Sequence, residues 1–169
     1  MMFTNRQSSQ RIPFDAATFD YLKKECFWDD FGAVLDAEDR TELQDSIVRA
    51  LYWFADAHAD LNSTMQFVKL WSCAECFFSI ENEGITELLT RGIAVVLAFA
   101  GYQIVTLQEY PSFKRRLKSL YALRSRSIHR AEFGIVTTKD LAEFSRWIGW
   151  LIVSMAALAG RGYEDLKKG

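Results

Sequence analysis

Two residues with complementary chemistry stand close together in the stretch Leu120-Tyr121-Ala122-Leu123-Arg124-Ser125-Arg126-Ser127-Ile128-His129. Arg124 brings a permanent cation with a fork of donors. His129 brings an imidazole ring, a group able to take up and pass on a proton. Those two tools, with no metal, are enough to cleave RNA by attack of its own 2′-hydroxyl. The imidazole moves the proton, and the guanidinium stabilises charge as it builds on the phosphoryl oxygens. The spacing alone says little, since an arginine and a histidine five apart recur in many chains. Their surroundings carry the weight.

The pair belongs to a helix expected over residues 111–130, with Pro111 suited to its first turn. Phe113, Leu117, Leu120, Tyr121, Ile128 and Ala131 form one apolar stripe at 3.6 residues per turn. Arg124 falls inside that stripe, where an apolar side chain is expected. A buried arginine is costly unless paired. Two accounts fit: a bound anion in a polar cavity, or an ion pair with a carboxylate such as Glu75, the methylenes packing into the core. Five residues turn a regular helix by about 140°, so Arg124 and His129 diverge on an undistorted one. Either the helix ends between them, or a symmetric partner supplies the facing groups.

The other elements follow from pattern. With 169 residues, 50% of them apolar and only two prolines and nine glycines, the chain reads as one all-α domain. A helix is expected over 15–30 on Phe19, Leu22, Cys26 and Phe27, and a second over about 38–60. A third covers 67–80, where ten of fourteen residues are apolar, capped by Ser63 or Thr64. Gly84 ends or kinks that region. A fourth helix runs over about 86–100, and a last one from a Thr137 or Thr138 cap to about 159. The expectation is an antiparallel bundle of about five to six helices. Residues 1–35 form an arm and accessory helix, 36–160 the helical domain, and 161–169 a short polar tail.

Charge is unevenly spread. The net charge is −2, yet residues 15–60 hold twelve acids against four bases, while 110–131 hold seven bases and no acid. That block is either a solvated face or a local phosphate-binding surface. Cys73 and Cys76 form a C-x-x-C inside an apolar run with no second ligand pair, which favours packing over a metal site or redox work. His58, the other histidine, reads as a surface or boundary residue. The longest uncharged apolar runs fall short of the roughly 20 residues a membrane span needs. With no leader pattern and an odd cysteine count, the expected location is a reducing cytoplasm.

Three stretches, in order, resemble the HEPN superfamily and most of all its Apea-like branch. Trp71-Ser72-Cys73-Ala74-Glu75-Cys76-Phe77-Phe78 is similar to the helix with a single glutamate before bulky apolar residues. Leu88-Leu89-Thr90-Arg91-Gly92-Ile93-Ala94 resembles the next helix with its lone arginine. The signature matches as Tyr121, then Arg124-Ser125, then His129 after four residues. The resemblance spans roughly residues 40–160. It departs at Arg130-Ala131, where the family often has glycine.

The resemblance implies a helical bundle that dimerises, bringing two Arg–His motifs into one cleft. It also implies metal- and cofactor-free endoribonuclease activity that leaves a 2′,3′-cyclic phosphate and a 5′-hydroxyl, in a toxin or defence system. Arg124 and His129 would be catalytic, with Glu75, Arg91, Ser125 and Tyr121 in support. Lys114, Arg115, Arg126 and Arg130 would hold the flanking phosphates of RNA. Expected partners are RNA, a second copy, and an antitoxin or effector protein. The competing expectation is a catalytically silent module that dimerises or binds a nucleotide or protein. A membrane-surface role finds no basic amphipathic helix with a bulky apolar face left for lipid.

Overall fold

The computed structural model of the chain describes residues 16–25, 28–78, 84–100, 102–130, 132 and 134–159. The expected arm over 1–13, the tail over 161–169, and Cys26, Phe27, Ser79, Ile80 and Ala131 lie outside the described residues. Every element among those described is a helix. They are α1 (Ala16–Glu25), α2 (Trp28–Asp36), α3 (Glu42–Ala59), α4 (Ser63–Glu75), α5 (Ile85–Phe99), α6 (Tyr110–His129) and α7 (Thr138–Ala159).

Among the described residues there are seven helices, where five to six are expected, because the segment expected over 15–30 holds α1 and the start of α2. The helix expected over 15–30 is α1, and α2 runs on to Asp36. Val34 explains the extension: it is buried in the core, and Arg40 ties down the end of α2. Its Nε donates to the Val34 carbonyl at 3.3 Å and its Nη2 to the Leu35 carbonyl at 2.8 Å. The third expected helix is shorter than its apolar run. α4 stops at Glu75, and the Phe77 amide closes a turn on the Ala74 carbonyl at 3.1 Å. Phe78 then leaves the helix axis and packs on α5 at Gly92.

Caps set the other boundaries. The hydroxyl of Thr41 and the side chain of Gln44 cap α3 reciprocally. The cap of α4 is Asn62, not Ser63 or Thr64, because its carboxamide oxygen accepts from both Thr64 N (2.9 Å) and Met65 N (3.2 Å). Thr137 accepts from the Asp140 amide at 3.1 Å while Asp140 accepts from the Thr137 amide and hydroxyl, which starts α7. Pro111 sits in the first turn of α6.

α7 is the central helix, packed on α2, α3, α4 and α5, while α6 lies on α5 and α4. A window of 18 residues within it reaches a mean hydropathy of 1.3, long and apolar enough to cross a membrane by length and composition. The uncharged apolar runs read in the sequence are shorter because they stop at charged residues of this helix such as Arg146. In this fold that apolar character fills the core: Phe144, Ile148, Leu151 and Ala156 are fully buried. Aromatic rings join α4, α7 and α6 into one block. Trp71 meets Phe144 at 4.4 Å and the Tyr121 ring edge-to-face at 5.0 Å.

Candidate functional site

That aromatic block ends at Arg124. Tyr121, seated on Trp71, accepts from Arg124 Nη1 at 3.2 Å, and its ring centroid lies 5.3 Å from the guanidinium carbon. Nη2 pairs with Glu75 Oε1 at 2.5 Å. Trp71 and Glu75 are one turn apart on α4, as are Tyr121 and Arg124 on α6, so two matching faces close a ring of contacts. Both charged side chains are largely shielded, at 17% exposure for Arg124 and 23% for Glu75. Burial pushes the Glu75 carboxyl above its ordinary value, with the Arg124 charge and hydrogen bond pulling the other way. Arg124 Nε is buried with no hydrogen-bond partner among the described residues, as are Ser127 Oγ and Trp71 Nε1.

His129 is the last residue of α6. It is exposed, and its ring makes no hydrogen bond or ion pair among the described residues. The helix does not end between Arg124 and His129, so within one chain the two side chains leave α6 in different directions. Ser125 is half-buried beside Arg124. Arg91 lies exposed on α5 with no ion pair among the described residues. Glu75, Tyr121 and Arg124 are thus brought together, while His129 and Arg91 stand apart from them.

The basic block finds its acids on other elements. Lys114 and Lys118 both grip Glu87 of α5, the second at 2.6 Å. Their hydrogen bonds hold the Glu87 carboxyl down to about 2. Arg116 spans Asp140 (2.5 Å) and Glu143 (2.7 Å) of α7. Nη1 of Arg126 and Nη1 of Arg130 reach Glu132 at 3.8 and 4.0 Å. Arg115 alone of the seven has no ion pair among the described residues. The segment is basic in sequence but largely neutralised in space.

The remaining reactive side chains are tied into packing. Cys73 Sγ donates to the Lys69 carbonyl at 3.4 Å and Cys76 Sγ to the Ser72 carbonyl at 3.2 Å. Burial pushes the Cys73 thiol up to about 12, far from a reactive thiolate. His58 Nε2 lies 3.1 Å from Ser145 Oγ beside a cavity of about 260 Å³ between α3, α4 and α7. Among the described residues, no group of three or more His, Cys, Asp or Glu could hold a metal ion.

Compared with protein-family models, curated proteins and solved structures, the chain finds a match in none of the three. The site therefore speaks through its own geometry. Sequence reasoning missed Trp71, which seats Tyr121, and Glu132, which lies just past the acid-free stretch. A glutamate one residue outside a basic block was the available signal. For Trp71 the signal was its place one turn before Glu75.

Proposed function

We propose that the chain is a metal-independent endoribonuclease of the HEPN type, working as a two-fold pair in a toxin or defence setting. One observation carries the reading: an exposed imidazole with no hydrogen bond or ion pair among the described residues follows a guanidinium that Glu75 and Tyr121 hold in a fixed orientation. A proton-transfer group must be free to reach substrate, whereas a charge-stabilising group works best preorganised. His129 takes the proton of a 2′-hydroxyl, and that oxygen attacks the adjacent phosphorus. The bond to the 5′-oxygen breaks, and the leaving oxygen is protonated by the imidazolium of the second copy. The products are a 2′,3′-cyclic phosphate and a 5′-hydroxyl.

The pairing of copies answers the divergence of the two side chains. In a two-fold arrangement, each α6 presents its end to the other, so Arg124 of one copy faces His129 of the next. The deciding experiment incubates the protein with structured and unstructured RNA in EDTA and identifies the product ends. Cyclic phosphate formation lost in His129→Ala supports the reading, and intact RNA under all conditions overturns it.

A second reading, a silent dimerisation or binding module for a nucleotide or protein, rests on the Glu75 pair. A guanidinium already neutralised at 2.5 Å serves as a helix–helix tie without any substrate. Turnover separates the two.

A further inference from the structure

The acids that neutralise α6 are not equivalent. Glu75, Glu87, Asp140 and Glu143 sit on helices, and they meet their cations at short range. Glu132 stands between α6 and α7, off any helix, three residues beyond His129. Its carboxylate divides between two guanidinium groups at 3.8 and 4.0 Å, the outer edge of ion pairing. Those partners are the most open of the paired arginines, with side-chain exposures of 46% for Arg126 and 72% for Arg130. A carboxylate shared by two exposed arginines offers them a pair of charged oxygens, the same chemistry that a phosphodiester offers.

We propose that Glu132 is an internal stand-in for phosphate, an autoinhibitory counter-ion on Arg126 and Arg130 that an RNA backbone must displace to reach His129. This rests on the ribonuclease reading and adds a regulation to the same site. The balance of energies suits exchange. Exposed ion pairs are weak, so Glu132 leaves at small cost, and a phosphodiester offers an equal charge with better acceptors. The contact also sets a threshold: a lone phosphate gains little over Glu132, whereas a strand that engages both arginines and further cations wins.

The test is binding of a 2′-O-methyl RNA oligonucleotide, which cannot be cleaved, to the full chain at physiological salt. Glu132→Gln should tighten binding by about two- to fivefold, the range an exposed ion pair allows. The same change in an Arg126→Gln/Arg130→Gln background should give no gain. General repulsion by one surface charge is screened within about 8 Å at this ionic strength. A gain in both backgrounds, or in neither, overturns the proposal. If the wild type and Glu132→Gln bind equally well, the counter-ion role fails while the RNA reading stands. If neither binds the oligonucleotide, the RNA reading falls and this inference with it.

Discussion

Arg124 and His129 make opposite demands on their surroundings, and substitution should expose the difference. His129 is exposed and has no partner among the described residues, so His129→Ala should change stability by no more than about 0.5 kcal/mol while abolishing cleavage. Arg124→Ala strands the shielded Glu75 carboxylate, at a cost on the order of 1–3 kcal/mol in chemical denaturation. That cost depends on pH. Burial raises the Glu75 carboxyl above its unfolded value, so its contribution is fully present below about 4.5 and is lost as pH rises through the raised value. Removing Arg124 removes the attraction that offsets this burial. The gap between wild type and Arg124→Ala should therefore narrow on acidification, as Glu75 becomes neutral. A gap independent of pH would mean that Glu75 is not what Arg124 holds.

Between elements, α5 is joined to α6 by charge and to the segment just after α4 by close packing. Glu87 is exposed and takes two lysines, which hold its carboxyl at about 2. A depressed carboxyl contributes stability that is present above its unfolded value of 4.5 and lost as pH falls towards 2. In an NMR titration Glu87 should ionise well below the ordinary glutamate value of 4.5, and Lys114→Ala/Lys118→Ala should return it towards that value. An ordinary midpoint in the wild type would remove the tie. Packing supplies the second contact. A Cβ at Gly92 would run into the Phe78 ring, so Gly92→Ala should cost about 1–3 kcal/mol through overpacking. An unchanged melting temperature would mean that Phe78 can swing clear.

For the whole molecule, the proposed chemistry requires two copies, because one chain sends Arg124 and His129 apart. Light scattering should report a dimer at micromolar concentration, and a monomer there would remove the composite cleft. The same architecture predicts a modest dependence on salt for so basic a segment. Lys114, Lys118 and Arg116 are committed to acids on α5 and α7, which leaves Arg115, Arg126 and Arg130 to meet a backbone. Arg126→Gln/Arg130→Gln should lower the slope of log affinity against log salt by about 0.7 for each lost contact to a single strand. An unchanged slope would place the phosphates elsewhere on the surface.

The sequence by itself determined the helical class, most helix positions and the conflict at Arg124, because those depend on local periodicity, caps and the cost of burying charge. It placed the fifth helix and its Pro111 start closely, since proline and an amphipathic stripe act within a few residues. It overran α4 because an apolar run records burial without recording direction, and Phe78 is buried against α5 rather than along its own helix. It stopped short of the end of α2 because the anchor of that helix is Val34, in a core built by distant residues. Tertiary structure alone supplied the carboxylate that Arg124 needs, by bringing Glu75 to 2.5 Å from a residue far along the chain. It also decided that the basic block is largely neutralised: its acids lie on α4, α5, α7 and at Glu132, and linear charge counting cannot see partners that meet only when the helices pack.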